Sequence, residues 1–108
     1  MSGGELSVRE VAAAFAAGEL ALVDVREQAE WDAGHVEGAQ FLPMSELPGR
    51  VAELPAGRLA IVCRSGSRSG MVADWLASSG TDAVNVSGGM KAWVAAGLPI
   101  EPADGWIA

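Results

Sequence analysis

The sequence predicts a single α/β domain with a mainly parallel central sheet of four to five strands and helices on both faces. Three observations carry this expectation. Short apolar runs at Leu20 to Val25, Leu59 to Cys63 and Ala83 to Val86 alternate with segments of helical period. The runs are apolar at consecutive positions, as strands covered on both faces are. At 108 residues the chain is long enough for one core without disulfide or metal staples. One domain over residues 1–108 is expected, with its core from about 6 to 99 and with residues 1–4 and 101–108 loosely held.

Taken in order, Ser7-Val8-Arg9-Glu10 has the form of a capping box, and Val8, Val11, Ala12 and Phe15 recur at helical spacing until Gly18. A first helix over roughly 8–17 follows. Leu20 to Val25 is interrupted only by Asp24 and is too short for an independent helix, so it is assigned as a parallel strand. Glu27 to Asp32 forms a short helix ended near Gly34, and Gln40-Phe41-Leu42 forms a brief strand stopped by Pro43. Ser45 caps a further helix carrying Leu47, Val51 and Leu54 on one face, with Pro48 in its first turn and Pro55-Ala56-Gly57 beyond it. After the strand at 59–63, a helix over 67–78 pairs Met71 with Trp75 and Val72 with Leu76, which predicts a core face. Ala83 to Val86 is the last strand, Gly88-Gly89 a turn, and Met90 to Ala96 the last helix, before Gly97 and Pro99.

Seven basic against fourteen acidic residues give a formal charge of −7, which repels phosphate backbones and anionic membranes. Neither nucleic acid nor membrane is an expected partner, and no apolar run approaches the ~20 residues of a membrane span. Met1 to Glu5 has neither the basic nor the apolar region of a secretory signal, and a lone cysteine forms no internal disulfide. Both features point to a reducing cytoplasm, and a monomer is expected. One cysteine and one histidine cannot close a tetrahedral metal shell, so neither metal nor cofactor is expected.

The chemistry concentrates at Cys63-Arg64-Ser65-Gly66-Ser67-Arg68-Ser69, between the strand at 59–63 and the helix at 67–78. A strand that enters a Gly/Ser-rich turn and then a helix aims several backbone N–H groups at one point and adds the positive end of the helix. Such a nest stabilises a thiolate and receives an anion. A free thiol titrates at ~8.5, and bringing it to ~6.5 takes ~2.7 kcal/mol of preference for the charged form, more than a helix end alone supplies. Loop N–H bonds and at least one of Arg64 and Arg68 are expected to supply the rest. A cysteine that only filled the core would not be followed by two arginines and three serines, whose burial is costly unless they bind something. Asp24 and Arg26 close the first long strand and share the carboxyl edge of the sheet with Cys63, as do Ser87 and the Gly88-Gly89 turn. Asp24 and Arg26 fit a supporting role around the loop as well as a purely structural one.

The seven-residue window resembles the active-site loop of the rhodanese (sulfurtransferase) family, with its cysteine, adjacent arginine, central glycine and six-residue span. Leu22-Val23-Asp24-Val25-Arg26-Glu27, Gly34-His35-Val36-Glu37-Gly38-Ala39 leading to Pro43, and Asn85-Val86-Ser87-Gly88-Gly89-Met90-Lys91-Ala92-Trp93 match the family in order, so that the resemblance covers about Leu6 to Pro99. It implies a three-layer rhodanese-like fold and a ping-pong sulfurtransferase. Cys63 would take sulfur from a small anionic donor such as thiosulfate, holding it as a persulfide, and pass that sulfur to cyanide or a thiol, including a protein thiol. Ser65, Gly66, Ser67 and Ser69 would contribute to the anion cradle, Arg64 would meet the donor's sulfonate, and Arg68 would face the anion site or Asp24.

Three other readings compete. A cysteine phosphatase or arsenate reductase of related fold needs a longer loop, with five residues between cysteine and arginine where Cys63 and Arg68 have four. A noncatalytic binding module would need an unreactive Cys63, whereas a persulfide carrier would share its chemistry and differ only in donor and acceptor. His35, between Gly34 and a Val-Glu-Gly-Ala turn, is read as a turn or packing residue in preference to a dyad partner. Trp31, Trp75 and Trp93 are read as packing, and Trp106 as a residue that docks on the domain or on another chain.

Overall fold

The computed structural model describes residues 4–108. Five strands form one all-parallel sheet in the order β1-β5-β4-β2-β3, made of β1 (Glu5–Leu6), β2 (Ala21–Asp24), β3 (Gln40–Phe41), β4 (Leu59–Val62) and β5 (Ala83–Val86). Four helices pack with them, α1 (Val8–Ala16), α2 (Gln28–Ala33), α3 (Ser67–Ser78) and α4 (Gly89–Ala95), of which the first three each lie between two strands and α4 follows β5. No helix among the described residues is long and apolar enough to cross a membrane.

Because strand residues alternate faces, the consecutive apolar runs build two cores. Leu22, Ala60, Val62, Val84 and Val86 meet Val11 of α1 and Met90 and Trp93 of α4. Val23, Leu59, Ile61 and Cys63 meet Val72, Ala73 and Leu76 of α3. The same alternation puts Asn85 on the face of Ala83, toward α3 and Cys63. Ser7 closes its capping box as predicted, accepting from the Glu10 N–H at 3.1 Å while its own N–H donates to Glu10 Oε1 at 2.9 Å.

Several expectations are corrected. The segment from Ser45 to Leu54 is not an α-helix; it forms two 3-10 turns, Leu47–Gly49 and Val51–Glu53. Pro48 supplies no N–H, and Arg50 at φ −127° breaks the helical path between the turns, leaving Leu47 buried and Val51 exposed. Met71 and Trp75 do not join the core: they line a shallow apolar groove with Met44, Leu47 and Pro48, while Val72 and Leu76 form the buried face. β1 is an addition, its two residues pairing with Asn85 and Val86. Residues 1–3 lie outside those described, so the expectation of loose termini is open there. Gly4 accepts a hydrogen bond from the Asn85 N–H at 2.9 Å.

The segment 101–108 is held to the domain. Glu101 exchanges both backbone hydrogen bonds with His35, and the Trp106 N–H donates to Ala33 O at 3.0 Å. Sequence periodicity does not report such pairing, because the partners lie more than sixty residues away. Trp106 is held by this backbone bond, and the residue is 66% exposed.

Candidate active site

The register of β2 against β4 pairs Asp24 with Val62, and the Val25 N–H donates to Val62 O at 3.0 Å, so Cys63 leaves the sheet beside Val25. From there the loop folds back over its own cysteine. Gly66 takes φ +103°, a left-handed conformation open to glycine, and turns its N–H onto Cys63 Sγ at 3.1 Å. The Ser69 N–H donates to the same sulfur at 3.3 Å, and the Ser69 hydroxyl lies 3.2 Å from it.

The outer side of the loop is fixed by α4. Gly88 and Gly89 turn the chain so that the Met90 N–H donates to Cys63 O at 2.8 Å and the Lys91 N–H to Arg64 O at 3.0 Å. In a trans peptide the N–H points opposite to the C=O. Anchoring those two carbonyls outward therefore turns the Arg64 and Ser65 N–H groups inward, toward the cradle.

Cys63 is 1% exposed. Burial acts to raise its pKa and is the largest single influence. Hydrogen bonds from the Ser69 hydroxyl and from the N–H groups of Ser69, Gly66 and Ser65 together outweigh it, so the thiol titrates below its ordinary value. The loop's own hydrogen bonds lead the lowering influences, as the loop donors were expected to do, and Arg68 adds a charge interaction with Cys63.

Arg68 departs from expectation. It does not meet Asp24, but forms a two-pronged pair with Glu30 of α2, Nη1 to Oε1 and Nη2 to Oε2, both at 2.8 Å, and its charge also acts on Cys63. Asp24 is not available to it, because both of its oxygens accept from Arg26, at 2.8 to 3.1 Å. That pair is fully buried and supports the carboxyl edge: Arg26 Nη2 also donates to Gly34 O at 2.8 Å, and Nη1 is buried without a hydrogen-bond partner. Arg64 is exposed and donates through Nε to Ala108 O at 2.9 Å. Ser65 and Ser67 stand on the exposed rim. His35 stacks on Trp31 with ring centroids 3.8 Å apart and places Nδ1 2.8 Å from Trp31 O, in the packing role read for it.

Two residues of the site escaped the sequence reading. Glu30 pairs with Arg68 across 38 positions, and nothing local announces such a partner. Asn85 did leave a signal: a polar residue inside the apolar run Ala83-Val84-Asn85-Val86 must have buried partners. They are Ser69 and Gly66, since Asn85 Oδ1 lies 2.6 Å from Ser69 Oγ and Nδ2 donates to Gly66 O at 3.0 Å.

The Glu30 pair gives the domain an acid response. Hydrogen bonds from Arg68 lead the influences that draw the Glu30 carboxyl from 4.5 down to about 2. A carboxyl whose folded value lies below its unfolded one contributes fully above the unfolded value and loses that contribution as pH falls toward the folded one. Between pH 4.5 and 2 the stability of Glu30→Gln is therefore expected to fall less steeply than that of the parent, by urea midpoints. Equal slopes would remove this pair from the acid response.

The fold and the loop define a class: parallel α/β domains that hold one thiol in a cradle of backbone N–H groups at the carboxyl edge of the sheet. Residues 7–96 match the Rhodanese-like domain family, and the chain belongs to that family. It is similar to a protein named "Sulfurtransferase" from Allochromatium vinosum, at 40% identity over 81% of this chain and 83% of that one. It is equally similar, at 40% identity over 69% of its length, to a probable adenylyltransferase/sulfurtransferase, MoeZ, of Mycobacterium tuberculosis, of which the match spans only 20%. Among solved structures, a rhodanese-related protein from Thermoplasma volcanium superposes with a TM-score of 0.84 at 26% identity, covering 90% of this chain and 96% of that one. A rhodanese-like domain protein from Staphylococcus aureus gives 0.77 at 33% identity, over 83% and 90%.

Proposed function

We propose that the domain is a sulfurtransferase that carries sulfur as a persulfide on Cys63. The observation that carries this reading is the convergence of the Gly66 and Ser69 N–H groups and the Ser69 hydroxyl on one sulfur atom, within 3.1 to 3.3 Å. Such a cradle stabilises a sulfur anion without a base or a metal. Family membership and relatives named as sulfurtransferases at 40% identity support sulfur transfer as the general chemistry.

With thiosulfate as donor, the Cys63 thiolate attacks the outer sulfur. A bond forms between Sγ and that sulfur, the sulfur–sulfur bond of thiosulfate breaks, and sulfite leaves with the electron pair. The negative charge then rests on the outer sulfur of the persulfide. Cyanide or a thiolate attacks this sulfur in turn, becoming thiocyanate or a new persulfide, and Sγ departs as thiolate. Arg64, Arg68 and the 64–69 backbone are the groups proposed to receive the donor, with Asp24 and Arg26 supporting the edge from which the loop springs.

A second reading, that the domain accepts sulfur from another persulfide, is favoured by the pairing of Arg68. With that guanidinium paired to Glu30, its charge is already answered within the protein, which leaves less of it for a dianion. Intact-mass spectrometry after incubation with thiosulfate, or with glutathione persulfide, tests both readings. Gain of one sulfur, removed by cyanide and absent in Cys63→Ser, is expected. Loading from glutathione persulfide alone would select the second reading, and loading from neither would overturn both.

A further inference from the structure

Ser69 is claimed by two acceptors. Its hydroxyl oxygen lies 3.2 Å from Cys63 Sγ and 2.6 Å from Asn85 Oδ1. Sulfur's larger radius makes both ordinary hydrogen-bond separations. A serine hydroxyl has one proton to donate, so it serves one acceptor at a time. Asn85 cannot turn over to remove the conflict. Its Nδ2 donates to Gly66 O at 3.0 Å and reaches Glu5 Oε1 at 3.4 Å, and a flipped amide would set its oxygen against both acceptors. Oδ1 is thus a fixed acceptor, in a side chain buried in β5.

The charge on sulfur decides where the proton goes. When Cys63 is a neutral thiol, its S–H donates to Ser69 Oγ and the hydroxyl donates to Asn85 Oδ1, which satisfies every member of the chain. When Cys63 is a thiolate, the hydroxyl turns to the charged sulfur and Asn85 Oδ1 loses its donor inside the domain, an unfavourable state. When Cys63 carries a second sulfur, the charge moves to the outer atom, Sγ becomes a weak acceptor, and the hydroxyl returns to Asn85.

We propose that Asn85 is a positioning residue for sulfur uptake: its Oδ1 competes with Cys63 Sγ for the single Ser69 hydroxyl proton, weakening the free thiolate's cradle while leaving the loaded cysteine undisturbed. The consequence for uptake rests on the sulfur-carrying reading; the competition itself does not. Other charges face the sulfur and its partners from every side. They are Arg64 in the loop, Arg68 of α3 with Glu30 of α2, the Asp24–Arg26 pair at the end of β2, and Glu5 with Asp74 beside Asn85. Asn85→Ala changes none of these charged residues, and it removes the Nδ2 donor from Gly66 O and Glu5 Oε1.

The sign of one titration separates this role from simple support of the loop. Cys63 is the only cysteine, so the rate of its alkylation by iodoacetamide against pH reads its ionisation directly. Freed from Asn85, the Ser69 hydroxyl serves the thiolate alone, and Asn85→Ala is expected to lower the midpoint by about half to one pH unit. Ser69→Ala is expected to raise it, and adding Asn85→Ala to Ser69→Ala is expected to lower it no further. A midpoint in Asn85→Ala equal to or above that of the parent would overturn the proposal, since a loosened loop gives that result.

A second measurement leaves Asn85 intact. The side-chain amide signal of Asn85 in nitrogen-15 NMR is expected to titrate with the Cys63 midpoint in the parent and to lose that response in Ser69→Ala. An amide signal indifferent to the midpoint in the parent would overturn the proposal even if Asn85→Ala failed to fold. With thiosulfate and sulfite at a fixed ratio, the sulfur-loaded fraction by intact mass should fall several-fold in Asn85→Ala. If the parent takes up sulfur from neither thiosulfate nor glutathione persulfide while the titrations behave as expected, the sulfur-carrying reading fails and the competition at Ser69 stands.

Discussion

Gly89→Ala is expected to lower the melting temperature of the domain by about 15 °C or more, or to prevent folding. A Cβ at this position would sit 2.5 Å from Cys63 O and 2.6 Å from Arg64 O, on a backbone at φ +61°. The left-handed conformation alone costs a non-glycine residue about 1–2 kcal/mol, and forcing atoms into packed backbone adds about 1–3 kcal/mol. Relief by movement is closed off. Both carbonyls are held by the Met90 and Lys91 N–H groups, so pushing them away breaks the bonds that aim the cradle. Gly18→Ala is the matched control: φ is +73° and nothing lies within 4 Å of the new Cβ, so only the conformational cost remains. Thermal melting of the two variants by circular dichroism separates the contributions. A Gly89→Ala melting point within a few degrees of the Gly18→Ala value would show that the loop and α4 are not packed as described.

The second large effect is expected from Asp24→Ala, which should cost about 3–5 kcal/mol because it leaves the buried Arg26 guanidinium without its counter-charge. Asp24 takes hydrogen bonds from Arg26 Nε and Nη2, and among the described residues it is the carboxylate bonded to that side chain. Arg26 in turn holds Gly34 O, at the end of the helix that carries Glu30. The cost should be largely recovered in Asp24→Leu/Arg26→Met, since apolar replacement of a buried ion pair is often neutral. Urea midpoints at neutral pH measure both variants. A loss below about 1 kcal/mol in Asp24→Ala would mean that the pair is solvated in solution.

Strand positions were legible wherever the physics is local. The apolar runs placed β2, β4 and β5 to within a residue or so, and a capping box placed the start of α1. The stretch around Pro48 was misread because apolar spacing alone does not separate an α-helix from a pair of 3-10 turns when a proline and a glycine sit side by side. β1 was missed because two residues carry no period. At the site, Cys63 and its loop stood out from composition alone, whereas the partner of Arg68 was invisible. An ion pair between residues 38 apart depends on how α2 and α3 are brought together, which no window of sequence contains. Asn85 lies between these cases, since its burial could be inferred from its neighbours but its partners could not.

The two-residue length of β1 and β3 has a bearing on how other proteins meet this one. These are the two edges of the sheet, and an edge so short presents almost no row of unpaired N–H and C=O groups for a guest chain to extend. Among the described residues the sheet therefore offers little edge for a partner to extend by adding a strand. What the described domain presents instead is side chains, on helical surfaces and around the rim of the cysteine loop.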